Sequence, residues 1–187
     1  MNKKTISYFT LIAIIGIVSK IISFVIVQFT QWYTLSVITG LLSYLCFLTL
    51  VFLIGRDLQQ NYFKQLWKVY IFIGYSFLLV IFMTIFSVSI DYLSVPGLLY
   101  LALCINAAVF FMNSVYQAFG IVFLIIIFIQ LISAWAVKKF LPGYIFIETY
   151  LDLLPIANFA TLLYVVRIQM KKLHEEANSI ASIKVEV

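Results

Sequence analysis

Apolar residues along this chain come in long unbroken blocks, divided by short polar interruptions. A barrel strand alternates apolar and polar positions every two residues, and no block shows that period. A helix that crosses the hydrocarbon core needs about 20 predominantly apolar residues. Only helices and closed barrels satisfy their backbone groups there. The blocks therefore predict six spanning helices, over 5–28, 34–55, 69–90, 96–114, 119–137 and 146–167. Gln28 and Trp32, Gly55 and Arg56, Asp91, Lys138 and Lys139, and Arg167 mark span ends. Ser94 and Pro96 suit the N-cap and first turn of the fourth span. The expected fold is an all-α, polytopic integral membrane protein, a bundle of six transmembrane helices.

Two segments fall outside the spans. In 57–68, Leu58, Tyr62 and Leu66 share a helical stripe with Phe63 and Trp67 beside it, and Gln59, Gln60, Asn61, Lys64 and Gln65 fill the opposite side. This predicts a short amphipathic cytoplasmic helix between spans two and three, lying on the membrane surface. The chain thus divides into a transmembrane domain, 1–167, and a short cytoplasmic tail, 168–187. Lys171 with Glu175 and Lys172 with Glu176 are i,i+4 pairs that support a helical extension there. Between spans four and five only Asn113, Ser114, Gln117 and Gly120 supply a turn. If that turn failed, one long tilted span would replace two.

Composition agrees with the pattern. The 187 residues are 65% apolar and 10% charged, against about 45–50% and about 25% in soluble domains. That excludes a disordered chain, a disulfide-rich secreted domain and a nucleic-acid-binding module. Met-Asn-Lys-Lys before the first block resembles the opening of a signal peptide. The block is too long and lacks a nearby small-residue cleavage site, so the first span is expected to persist as a signal anchor. The net charge of +5 reflects basic residues gathered at span ends, where they set orientation. With six spans and an inner N-terminus, nine basic residues lie inside and two outside; five spans would give seven and four. The rule that basic residues stay inside selects six spans with both termini cytoplasmic. A lysine-, isoleucine-, phenylalanine- and tyrosine-rich composition fits an AT-rich genome and hints at a bacterial source, so a bacterial cytoplasmic membrane is the expected location.

A polar group inside hydrocarbon is costly and needs a reason. Lys20 is the deepest, about 12 Å from the outer end of its span at 1.5 Å per residue. Gly16, Ser19 and Ser23 flank it. Its expected partners are in span six, where Glu148 and Asp152 share a face and Pro155 is expected to kink the helix. Lys20, Glu148 and Asp152 together form the candidate substrate-binding set, with Lys20 paired to Asp152 and Glu148 nearer the surface. The same trio also reads as a purely structural lock between spans one and six. Asn106, Asn113, Gln130 and Ser133 read as interhelical hydrogen-bonding groups. Trp32, Tyr33, Tyr62, Trp67, Tyr92, Trp135 and Tyr144 read as an interfacial belt.

Catalytic signatures are missing. His174 is the sole histidine, and no GxSxG, HExxH or Walker motif occurs. Cys46 and Cys104 give neither metal spacing nor a disulfide framework. No enzyme activity, metal or cofactor is expected, and no nucleic-acid partner. Two functions fit the pattern. The first is a transporter or permease-type component that moves or binds a small polar or charged substrate. Its layout, with an amphipathic helix after span two, resembles in topology alone the permease subunits of ABC exporters. The second is a non-transporting partner (a subunit, immunity, scaffold or sensor protein) acting through protein contacts. The expected partners are the bilayer, a protein or second copy along the membrane domain, and a cytoplasmic protein at 57–68. Cysteines placed at Lys139 and Lys171 should label from opposite sides of the membrane; labelling of both from one side would reject the six-span topology.

Overall fold

A computed structural model describes residues 3–29, 32–86, 94–140 and 153–185. Those residues form six helices: α1 (Lys3–Phe29), α2 (Tyr33–Tyr62), α3 (Trp67–Phe86), α4 (Val95–Met112), α5 (Gln117–Phe140) and α6 (Pro155–Val185). Three hold stretches long and apolar enough to cross a membrane: Thr5–Phe29, Thr34–Gln59 and Val95–Met112. The apolar stretches of the others are shorter, at Trp67–Met83, Gln117–Ser133 and Pro155–Ile168.

The break between α4 and α5 is present. Met112 ends one helix and Gln117 opens the next. Asn113 N–H donates to the Val109 and Phe110 carbonyls, and Ser114 Oγ donates to the Phe111 carbonyl at 2.8 Å. Ser94 caps α4 by accepting from Gly97 N–H at 3.3 Å.

Elsewhere the expected elements need correction. No separate amphipathic helix occupies 57–68. α2 runs on to Tyr62, a single 3₁₀ turn covers Phe63–Gln65, and α3 starts at Trp67. The reason lies in the stripe itself. Leu58 and Leu66 are buried in the core of the bundle, and the Tyr62 ring stands edge-on to Phe110 with centroids 6.0 Å apart. The stripe of Leu58, Tyr62 and Leu66 faces protein, while Trp67 beside it is exposed. Pro155 does not kink a helix either. It occupies the first position of α6, where its missing N–H leaves no bond broken; the following amides donate to Leu153 and Leu154. From there α6 continues through Arg167 to Val185 without a break, so the tail is an extension of the last helix.

Each helix packs against its neighbours in sequence, and α6 closes on α1. The pairings show alternating directions. Ser23 meets Ser36 while Gly16 meets Ser43, so α1 and α2 are antiparallel. Tyr75 donates to the Pro96 carbonyl and Phe72 meets Tyr100, which sets α3 against α4 the same way. Gly120 lies against Met112 and Ala108, as an α4–α5 hairpin requires. The result is an up-and-down ring of six helices. Inside it the core is aromatic: Phe9, Phe72, Phe111, Tyr116, Phe119 and Phe159 are nearly inaccessible. Outside it is also apolar, with Leu11, Val18, Leu78, Ile125 and Ile132 all exposed. A surface so apolar suits lipid and not water.

One polar contact ties the ring together at the end where α2 finishes. The Tyr116 hydroxyl, from the α4–α5 turn, donates to Asp57 Oδ2 at 3.0 Å. Nearby, α4 and α5 touch almost backbone to backbone. A Cβ on Gly120 would lie 2.5 Å from the Met112 nitrogen and 2.7 Å from the Ala108 oxygen. Backbone cannot move aside as a side chain can. Gly120→Val should therefore destabilise the chain by about 1–3 kcal/mol, the usual range for overpacking, seen as a lower thermal-unfolding midpoint in detergent. An unchanged midpoint would contradict this crossing.

Candidate functional site

The site begins with small residues on the first two helices. Gly16, Ser19 and Ser23 on α1 face Ser36, Gly40 and Ser43 on α2. Without bulk at these positions the two backbones approach closely, and hydroxyls reach across. Ser23 Oγ donates to the Ser36 carbonyl at 3.0 Å, and Ser36 Oγ donates back to the Ser23 carbonyl at 3.3 Å. Ser43 Oγ donates to the Gly16 carbonyl at 2.9 Å. The four serines are buried and mostly satisfied by this seam. Gly16 also leaves room for α6. A Cβ there would sit 2.6 Å from Phe159 Cζ, so the missing side chain is where the Phe159 ring enters.

Above Phe159 the ring of helices encloses a cavity of about 210 Å³. Its floor is phenylalanine. Phe47 contacts Phe123 at 5.6 Å and Phe159 at 6.0 Å between centroids, and all three line the space. Phe119 stacks beneath on Phe123 at 5.6 Å. These rings lie toward the end of the bundle that carries Asp57 and Tyr116 and floor the cavity on that side. The walls are Tyr44, Tyr100, Leu101 and Cys104 on one side and Ile126, Ile127 and Leu131 on the other. The Tyr44 and Tyr100 hydroxyls are 3.4 Å apart. Lys20, Gln130 and Asn158 add a cation and two amides. Asn158 is only 4% exposed, and its Oδ1 is buried with no hydrogen-bond partner.

Among the expected site residues, the structure puts Lys20 half-buried on the cavity wall. Glu148 and Asp152 lie outside the described residues, and so does the expected Lys20–Asp152 pairing. Gln130, expected between helices, lines the cavity instead. Asn106 and Asn113 do not bridge helices. Both are exposed, and their amides donate to Ala102 and Val109 of their own helix at 2.9 and 3.0 Å. Of the belt residues, Trp32 and Trp67 are exposed at helix ends as expected. Tyr62 packs inward on Phe110.

Sequence reasoning placed none of Tyr44, Tyr100 and Asn158 in the site. Tyr44 and Tyr100 stood, with Tyr75, only as an option for a stacking or cation-binding site that nothing in the pattern supported, and Asn158 was one amide near the lower end of span six. The chain has 12 tyrosines, and only packing separates these two from the rest. Among the described residues the lining has no carboxylate and no histidine, and no three metal-ligating side chains come together. The described groups suit binding: a cation and amides to orient a small molecule, and aromatic walls to hold it.

Compared with known protein families, with curated proteins and with solved structures, the chain matches none.

If the cavity is open to water from its far end, position 130 must be wet and position 125, on the outer face of the same helix, must not. In a background with Cys46 and Cys104 replaced by alanine, Gln130→Cys should react with a small charged thiol reagent in proteoliposomes. Ile125→Cys should stay unmodified; no reaction at position 130 would mean the cavity is sealed, and reaction at both would mean the outer face is not in lipid.

Proposed function

We propose that this chain is a six-span membrane protein of the permease type that binds, and carries across the bilayer, a small polar or charged solute. The solute enters the cavity among α1, α2, α4, α5 and α6. Both termini lie on the cytoplasmic side, in a bacterial cytoplasmic membrane. The observation that carries this reading is the cavity itself: a space whose described lining includes Lys20, Gln130 and Asn158, in a bundle packed largely with apolar side chains. Polar groups so placed in hydrocarbon are retained for a purpose more often than by chance.

The topology draws support from the ring. Consecutive helices run in opposite directions, and three are long and apolar enough to cross. Helices packed side by side with those three share their depth. The phenylalanine floor lies toward the Asp57 end, so the solute is taken to reach the cavity from the opposite side, as in one state of an alternating-access carrier.

The test begins with the purified chain in detergent and a panel of amino acids, amines, carboxylates and inorganic ions. At least one should raise the thermal-unfolding midpoint and be taken up by proteoliposomes. Lys20→Met should abolish both responses while leaving the midpoint without solute nearly unchanged. A panel without effect, or a variant that responds like the original chain, would reject the reading.

A further inference from the structure

Some contacts cross the ring of helices instead of following it. α2 packs on α1 and α3, and α5 packs on α4 and α6, so α2 and the α4–α5 hairpin face each other across the bundle. On the cavity floor Phe47 of α2 meets Phe119 and Phe123 of α5, with centroids 6.3 and 5.6 Å apart. Nearer the end of α2, Tyr62 stands edge-on to Phe110, and the Tyr116 hydroxyl donates to Asp57 Oδ2 at 3.0 Å. Each of these links runs from side chain to side chain. They can part without unpacking a neighbouring pair of helices.

The Tyr116–Asp57 bond differs from the ring contacts in kind. A hydrogen bond to a carboxylate is charge-assisted and directional, whereas apolar rings slide past one another. Tyr116 is fully buried and Asp57 half-buried. Phenylalanine would fill the space of the Tyr116 ring, so what the hydroxyl adds is the bond. The turn holds that hydroxyl in place. Tyr116 N–H donates to Ser114 Oγ at 3.1 Å, and Gly120 seats α5 against the backbone of α4. The hairpin therefore moves as one body, and the bond fastens that body to the end of α2.

We infer that the Tyr116–Asp57 hydrogen bond is the latch of a gate: while it holds, the phenylalanine floor stays assembled, and when it breaks, the hairpin leaves α2 and the cavity opens toward the Asp57 end. This rests on the carrier reading proposed above, in which the solute reaches the cavity from the other side and needs a way out.

Cys104 serves as the reporter, because it lines the cavity and is only 2% exposed. With Cys46 replaced by alanine it is the sole thiol. Membrane vesicles of both orientations receive a membrane-impermeant thiol reagent, and the labelling rate of Cys104 is read from each face. Arg56→Cys in a chain without other cysteines, exposed beside Asp57, identifies the Asp57 face. Tyr116→Phe should raise the rate from that face about tenfold, the shift expected from losing a hydrogen bond to a charged group. It should not raise the rate from the opposite face. Asp57→Ala should act alike, and Asp57→Asn, which keeps an acceptor, should raise the rate less; these two decide the matter where Tyr116→Phe does not fold. An unchanged rate from the Asp57 face overturns the latch. So does an equal rise from both faces, which would make the hydroxyl a structural tie alone. The labelling needs no solute, so the two readings fail separately. A one-sided rise in a chain that takes up no solute removes the carrier and keeps the latch, and uptake with an unchanged rate does the reverse.

Discussion

Lipid tails are as apolar as leucine, so in a bilayer no hydrophobic force draws one apolar helix to another. Association must come from close packing and from hydrogen bonds that span the gap. In this chain both are concentrated where α1 meets α2. Serines and glycines bring the two backbones together, and three hydroxyl-to-carbonyl bonds lock the register. Gly120 does the same for α4 and α5 by steric room alone. The bulky residues that these contacts exclude are moved to the centre of the ring, where aromatic side chains take up the volume.

That division explains where the cavity falls. The phenylalanines gather toward the Asp57 end, where their rings pack on one another in the core. Toward the other end the cavity is lined by Gly40, Ser43, Ile126 and Ile127 together with Tyr44 and Tyr100. Residues that make the α1–α2 seam tight thus leave the middle of the bundle unfilled at the same level. Lys20 stands beside the seam, one residue from Ser19, and reaches the space because its neighbours are small. The site and the helix seam are products of one stretch of sequence.

Much of the fold was legible in advance. Block length alone located the helices, and the Ser94–Pro96 cap and the turn after Asn113 were readable from residue chemistry. The segment 57–68 misled because an amphipathic stripe looks the same whether its apolar side meets lipid headgroups or protein. Only the burial of Leu58 and Leu66 separates the two. Lys20 stood out because a charge in an apolar run is rare, while Asn158 was visible only as one amide among several. Which amides turn inward depends on helix rotation, and with apolar residues on every side of these helices there was little contrast to reveal it. Tyr116 and Asp57, 59 positions apart, could not have been paired from sequence because neither is unusual where it sits.

Closure of α6 on α1 also has a bearing on how the bundle assembles. The contact between Phe159 and Gly16 joins helices that are far apart along the chain. Before α6 docks, the notch at Gly16 stands open and Lys20 borders an incomplete ring. The cavity therefore depends on a long-range contact, and α1 and α2, joined by their serines, form the surface that α6 must find.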